Sequence, residues 1–586
     1  MRIPFLIVVC WGGLAAAQNA AVAFRDVAVP MRDGVHLAAN VFLPAEAGPY
    51  ATILVRTPYG KGTRLVPNYQ AFVDHGYAVV VEDVRGRYGS EGAFDPLTQE
   101  PRDGDDTINW IARQSWSNGK VGMIGGSYLG IAQWKAALAE NPHLKAIFPV
   151  VSGDDDYRDR FYSTGGALKL GHRLEWLAEN RKAPGYMPEF NKFIWHLPLR
   201  TADVAATGQA NAEWAAAMDH PTYDSFWKRI STRERLGEIR IPVFAVGGWY
   251  DNYVESDLDA YEALRKRSGL NRILIGPWPH NMSYKFANTD FGRESAAPVR
   301  RLQLEWFDQW LGGKDSPLTA QPPVRVFLMG ANRWLEEREW PPAEAHSLKL
   351  YLDSTGHANT AAGDGTLAPR PPRLSGSDSY IYDPRNPAPT RGGAVCCNPA
   401  VFPWGPLDQR PVEKRRDVLV YTSPPLRDEL EVVGPVRVVL FVATNRRDTD
   451  FTAKLVDVFP NGYARILSDG ILRLRYREGL ERAAPAEPGK IYRVTIDAGV
   501  TGNVFEKDHR VRIEISSSNF PKFDRNPNTG GPIGGETRLL TASQTVHHGR
   551  PYASYVELQA MPRRAANLTA NASTRYFASS RTNRAR

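Results

Sequence analysis

Cysteine is nearly missing from this chain: the 586 residues hold 3. Cys10 lies in an N-terminal segment expected to be removed, and Cys396 and Cys397 are adjacent. A disulfide-stapled scaffold is excluded, and no C-x-x-C pair suggests a zinc site. Neighbouring Cα atoms stand ~3.8 Å apart across a trans peptide, short of the usual disulfide reach, so free thiols and a vicinal bridge both stay open. No apolar run reaches 18 residues, so no membrane span is expected. No repeat of fixed period occurs, which excludes a solenoid. Charge of one sign is scarce outside the tail. Of the net +8, six charges come from Arg563, Arg564, Arg575, Arg581, Arg584 and Arg586, and the near-neutral remainder predicts no nucleic-acid surface. Asp448-Thr449-Asp450 and His547-His548 lack the spacing of a metal site, so neither a metal nor another cofactor is expected.

What is there begins with an export signal. Arg2, the apolar stretch from Phe5 to Trp11 and Ala15-Ala16-Ala17 fit the charged, apolar and small-residue parts of a secretory leader over 1–17. The mature protein is expected in the periplasm or outside the cell. At this length, more than one core is required.

From 18 to 151, apolar strands alternate with helical segments, the pattern of a mostly parallel sheet covered on both faces. An antiparallel hairpin around Arg32-Asp33-Gly34 opens it. From 152 to 238 the strands stop, and aromatic-rich helical patches predict an inserted cap. The sheet resumes over 239–316. Beyond 317, short strands separated by Gly, Pro, Asn and Asp turns, among them Val324 to Met329, predict an all-β sandwich of jelly-roll type to 562. Thr360 to Gly393 reads as a Pro/Gly-rich loop within it, and 563–586 as a basic, solvated tail.

The chemistry centres on Val121-Gly122-Met123-Ile124-Gly125-Gly126-Ser127-Tyr128-Leu129-Gly130. An apolar strand enters a glycine-flanked serine and a helix leaves it, the pattern of a nucleophile elbow, although the second glycine falls one place late. A serine nucleophile needs a base, and the base an orienting carboxylate. Asp251 ends one later strand and His280 follows the next, in the order Ser, Asp, His of α/β-hydrolases. Carboxyl ends of parallel strands share one edge, so the three are expected to meet there. An oxyanion would be met by the Tyr128 N–H. Tyr59, after the strand ending near Val55, offers a hydroxyl, or is only the middle of a Pro-Tyr-Gly turn. Asp83 and Arg85 read as a structural ion pair or turn network, and Trp249 and Trp278 as pocket wall or packing.

Several phrases are shared with one family. They are Arg56-Thr57-Pro58-Tyr59, Asp83-Val84-Arg85-Gly86, Trp116-Ser117-Asn118-Gly119-Lys120-Val121-Gly122, Gly125-Gly126-Ser127-Tyr128-Leu129-Gly130, Gly248-Trp249-Tyr250-Asp251 and Gly276-Pro277-Trp278-Pro279-His280, with Asp448-Thr449-Asp450-Phe451 and Asn519-Phe520-Pro521-Lys522-Phe523 further on. From about Val27 to Leu558 the chain resembles the group of cocaine esterases, X-Pro dipeptidyl-peptidases, α-amino acid ester hydrolases and glutaryl-7-aminocephalosporanic acid acylases. The resemblance implies an α/β-hydrolase domain with a helical cap, then a jelly roll, with the active site where they meet. It also implies an oxyanion hole of the Tyr59 hydroxyl and the Tyr128 N–H. The peptidases resembled usually carry an extra N-terminal domain, and only about 25 residues precede the first hydrolase strands here, which weighs against a peptidase.

The amino acid ester hydrolases of this group hold a substrate ammonium with carboxylates, two of them just after the catalytic Asp. Here those positions are Tyr253 and Val254, and Asp159 is the nearest match to a third. Trp249, Tyr253, Trp278 and Asp159 are therefore the substrate-binding candidates. The expected protein is an exported serine hydrolase acting on small esters or amides, of carboxylesterase or acylase type. The alternatives are an X-Pro dipeptidyl-peptidase, an α-amino acid ester hydrolase and, from another class, a non-catalytic glycan-binding jelly roll. Oligomeric state is left open.

Overall fold

Short β-branched runs become strands, and the amphipathic stretches between them become the helices that cover the sheet. The computed structural model describes residues 22–181, 189–267 and 269–562. The leader expected over 1–17 and the basic tail over 563–586 lie outside the described residues. Strands β1 (Val22–Pro30) and β2 (His36–Leu43) form the antiparallel hairpin, and Gly34 takes the positive φ, 85°, that its turn needs.

Then come β3 (Tyr50–Thr57), β4 (Ala78–Asp83), β5 (Ser117–Gly126), β6 (Leu144–Val150), β7 (Phe244–Tyr250) and β8 (Arg272–Pro279). Their order in the sheet is β1-β2-β4-β3-β5-β6-β7-β8, with β4 to β8 running parallel. Helices α1 (Pro67–Asp74), α2 (Glu100–Ala112) and α3 (Tyr128–Ala137) lie between the early strands. Every residue of β4, β7 and β8 is buried, as a sheet covered on both faces demands.

Between β6 and β7 stands the cap. A π-helical turn over Asp156–Phe161 leads to α4 (Leu170–Arg181), α5 (Phe190–Phe193), α6 (Ala202–Thr207), α7 (Ala212–Asp219) and α8 (Ser225–Ile230). No named strand occurs among the described residues of 152–238. Two of the short helices have defined ends. The Asp224 carboxylate accepts the Phe226 N–H to start α8, and Gly208 ends α6 in the left-handed conformation. A separate aromatic core, including Tyr157, Phe161, Tyr162, Trp214 and Trp227, holds the cap together.

After β7 come α9 (Val254–Arg265), a small hairpin of β9 (Lys285–Phe286) and β10 (Thr289–Asp290), and α10 (Val299–Trp310). Here the structure corrects the sequence reading. The turn spacing puts the run Val324 to Met329 in the β-rich part. Instead β11 (Val324–Leu328) pairs in parallel with β8, and β12 (Arg333–Glu337) pairs antiparallel with β11. The first sheet thus has ten strands and continues beyond residue 316. A buried apolar run does not say which sheet it will join.

The β-rich part comprises β13 (His346–Asp353), β14 (Thr366–Ala368), β15 (Gly376–Tyr382), β16 (Leu419–Thr422), β17 (Leu430–Thr444), β18 (Asp450–Val458), β19 (Ala464–Arg473), β20 (Tyr492–Phe505), β21 (Arg510–Ser516), β22 (Ala542–His548) and β23 (Tyr555–Ala560). These form one hydrogen-bonded network, antiparallel apart from the β14–β16 pair. A second correction falls here. The stretch from Thr360 to Gly393, expected as loop, contains β14 and β15, and the longer irregular run is 383–418. Asp448, Asp450 and His548 lie in ion pairs. Arg473 joins Asp450 and Asp524, Arg475 joins Asp448, and His548 lies against Asp378.

The three parts meet at the edge where the parallel strands end. The Tyr250 hydroxyl donates to the Ile466 carbonyl of β19 (3.1 Å). Leu168 and Gly171 of the cap donate to Asp524 and to the Pro521 carbonyl. The family phrase around Asn519 is therefore the β-rich part's contact with the cap.

Candidate active site

Ser127 follows β5 directly and has φ 57° and ψ −125°, a conformation that L side chains rarely adopt. Such strain lifts a side chain clear of both strand and helix. Gly125 has φ 139°, and a Cβ there would strike Leu129. Leu129 thus occupies the place of the strict motif's second glycine. Gly130 is needed instead because a Cβ there would strike the Ser152 side chain, just beyond β6. The displaced glycine follows from how closely α3 approaches that segment.

Asp251 and His280 stand at the ends of neighbouring strands, β7 and β8. The Asp251 carboxylate is fully buried. Its Oδ2 lies 2.6 Å from His280 Nδ1, and its Oδ1 accepts the Tyr253 N–H at 3.0 Å. A buried carboxylate on Nδ1 fixes the ring and leaves Nε2 for proton transfer.

Tyr59 is 40% exposed as a whole residue. Its hydroxyl end is enclosed: it accepts from Trp176 Nε1 at 3.2 Å and is hydrogen-bonded with the Ser127 side chain. Burial raises its pKa above the usual 10, against those two hydrogen bonds, so it keeps its proton. Tyr128 opens α3, and amides of a helix's first turn have no intrahelical acceptor. Its ring stacks on Trp176 (6.4 Å between centroids, 5° between planes), and its hydroxyl donates to Glu100 Oε1 at 2.8 Å. Glu100 and Glu82 flank the buried Arg56. Burial, against Arg56, pushes Glu82 up to about 7.

The remaining candidates separate. Tyr253 is buried, with its ring 5.8 Å from His280 and 6.1 Å from His172. Trp249 and Trp278 are placed as packing: each is buried, with its indole N–H on a backbone carbonyl, Phe327 and Ser295 respectively. The Asp159 carboxylate is held by the Ser256 hydroxyl and the Asp155 N–H (2.8 Å) at the root of the cap. Burial raises its pKa. Asp83 and Arg85 do not pair with each other. Asp83 accepts the Lys61 and Gly89 amides, while Arg85 bridges Asp103 and Asp33.

Sequence reasoning missed Trp176, which touches both Tyr59 and Tyr128, and His172, one turn earlier on α4. The cap's aromatic richness was visible, but nothing local marked these two. Asp251 and Trp249 also line a cavity that includes the charged side chains of Lys169, Glu255, Asp469, Asp497 and Lys522.

Residues 33–282 match the model of the X-Pro dipeptidyl-peptidase (S15 family), and residues 317–557 match that of the X-Pro dipeptidyl-peptidase C-terminal non-catalytic domain. The chain is 40% identical over 569 residues to the cocaine esterase of Rhodococcus sp. (strain MB1 Bresler), covering 92% of this chain and 98% of that protein. The chain belongs to the X-Pro dipeptidyl-peptidase (S15) family. A putative Xaa-Pro dipeptidyl-peptidase of Bacillus anthracis is 24% identical, over 79% of this chain and 72% of its own. Among solved structures, an aminopeptidase from a marine sediment archaeon, Thaumarchaeota archaeon, superposes with a TM-score of 0.83 at 27% identity, covering 96% of this chain and 99% of that one. An α-amino acid ester hydrolase superposes with a TM-score of 0.80 at 27% identity, covering 95% and 98%. This S15 member is a hydrolase with an α/β-hydrolase-like domain, a helical insert and a β-rich C-terminal part.

Proposed function

We propose that this S15 hydrolase is an exported serine esterase or acylase working through an acyl-enzyme on Ser127. The observation that carries the reading is the 2.6 Å contact of buried Asp251 with His280 Nδ1, at the same edge of the parallel sheet as a serine held at φ 57°. The Ser127 hydroxyl adds to the carbonyl carbon while its proton passes to His280 Nε2. The oxygen that gains charge is received by the Tyr128 N–H and the Tyr59 hydroxyl. His280 then protonates the leaving alcohol or amine, and a water activated by the same nitrogen releases the acid. The β-rich part, read as a jelly roll, meets the cap through Asp524 and Pro521 and the end of β7 through Ile466. Export rests on the leader expected over 1–17, and the joined Cys396–Cys397 pair suits an oxidising compartment.

Labelling with a fluorophosphonate tests this directly. Wild type takes up one probe per chain and Ser127→Ala takes none. An unlabelled wild type would sink the serine mechanism and restore the glycan-binding alternative. Peptidase action on X-Pro or other N-terminal residues is the second reading, supported by the archaeal aminopeptidase's likeness over nearly the whole chain.

A further inference from the structure

Cys396 and Cys397 sit in the irregular run between β15 and β16, next to the small apolar cluster of Val395, Phe402 and Trp404. Their sulfurs are joined to each other. Cys396 is fully buried and Cys397 partly so. Across from them α4 presents His172, which is 3% exposed, and whose Nδ1 has no hydrogen-bond partner among the described residues. One ligating atom from each of His172, Cys396 and Cys397 falls within 4.8 Å of the other two. Buried polar atoms nearly always have a partner, so a buried imidazole with an unpartnered nitrogen, standing this close to two sulfurs, requires an explanation.

We propose that these three side chains form a redox-gated site for a soft divalent cation such as Zn²⁺ or Cd²⁺, and that filling it blocks hydrolysis. The disulfide holds the site closed, because neither bridged sulfur is a thiolate. A small-molecule thiol or a thiol–disulfide oxidoreductase opens it: two thiols are oxidised to one disulfide while the Cys396–Cys397 bond is reduced to two thiols. Metal binding then releases two protons, one from each cysteine, and forms two metal–sulfur bonds and one metal–nitrogen bond. Thiolate and imidazole are the donors that zinc and softer ions prefer, and three protein ligands leave a fourth position open.

The surroundings suit this role. Arg173, Lys169, Arg160 and His280 lie near the His172 ring. Two thiolates cancel the charge of a dication, so the neighbouring cations do not oppose it. The consequence for catalysis comes from position. His172 meets Tyr253 edge-on, and Tyr253 meets His280. An ion with a water in its fourth position would stand one aromatic ring from the catalytic base.

The experiment uses the full chain, air-oxidised or reduced with a phosphine that is then removed without oxygen. Each sample is dialysed against Zn²⁺ or Cd²⁺, and bound metal is counted by elemental analysis. The expected result is one ion per chain in the reduced protein and none in the oxidised protein. Cd²⁺ should add a thiolate charge-transfer band, and hydrolysis should fall in proportion to the metal bound and recover with a chelator. Cys396→Ser, Cys397→Ser and His172→Asn, each compared with its own metal-free rate, should lose the stoichiometric ion. Less than stoichiometric binding by the reduced wild type, or equal binding by both cysteine variants, overturns the site. Stoichiometric binding that leaves the rate unchanged overturns the blocking role. The metal count does not depend on hydrolysis, so it stands or falls separately from the serine mechanism.

Discussion

The Tyr128 hydroxyl donates to Glu100 Oε1, and Glu100 in turn faces the buried Arg56 that Glu82 shares. The residue whose amide is proposed to receive the oxyanion is thereby tied, through its side chain, to a buried charge network. Tyr128→Phe keeps the amide and removes the tie, leaving a buried carboxylate one donor short. Hydrogen bonds to charged groups are worth about 1.5–3 kcal/mol, so the urea midpoint should fall accordingly. Its effect on kcat should be smaller than that of losing an oxyanion donor. Wild-type stability in this variant would show that the tie contributes nothing.

Tyr59→Phe makes the opposite change. The ring stays and the hydroxyl between Trp176 and Ser127 is lost. Removing one oxyanion donor typically costs on the order of 10²-fold in kcat, with folding little altered. A rate equal to wild type would return Tyr59 to the role of a turn residue.

These two tyrosines mark how far the sequence could be read. The elbow, Asp251 and His280 each follow an apolar strand closely, so local pattern and chain order suffice to place them at one edge. Trp176, His172 and the cysteine pair depend on how the cap and the irregular run over 383–418 fold against that edge, and no local periodicity encodes it. The same limit misplaced Val324–Leu328, whose burial is evident but whose partner, β8, is chosen by tertiary packing. Trp249 and Trp278 stand two residues before Asp251 and His280 and yet are packed in the core, each with its indole N–H on a backbone carbonyl that only the tertiary fold brings near.

Stability should fall as pH rises from near neutrality. Glu514 on β21 is 2% exposed, and neither of its carboxylate oxygens has a hydrogen-bond partner among the described residues. Burial chiefly pushes its pKa up to about 8; Lys454, 3.6 Å away, opposes this and Glu413 adds to it. Between the ordinary 4.5 and about 8 the folded chain holds a proton that the unfolded chain has released. Unfolding then releases a proton, so this contribution is complete below 4.5 and is lost as pH climbs through about 8. His172 contributes an opposite slope, but only below its unfolded value near 6.5. Melting temperatures taken from about pH 6.5 to 8.5 should decline, and Glu514→Gln, which cannot titrate, should flatten the decline. An unchanged slope in the variant would count against a protonated Glu514.

Holding a substrate ammonium takes carboxylates that face the site. The positions two and three after Asp251 are Tyr253 and Val254, both uncharged and buried. Asp159 is occupied by the Ser256 hydroxyl and the Asp155 amide. What stands beside His280 is the Tyr253 ring, with neutral His172 behind it. Such walls favour an apolar or neutral acyl group. A single partly solvated carboxylate–ammonium pair is worth only ~0.2–1 kcal/mol, too little to make an amine obligatory. Paired esters, one with a free α-amino group and one with it acetylated or missing, should therefore be cleaved with kcat/KM values within about tenfold of each other, ~1.4 kcal/mol. A preference for the free amine above about a hundredfold, ~2.7 kcal/mol, would require a built ammonium site and would assign this chain to the amino acid ester hydrolases or aminopeptidases of its family.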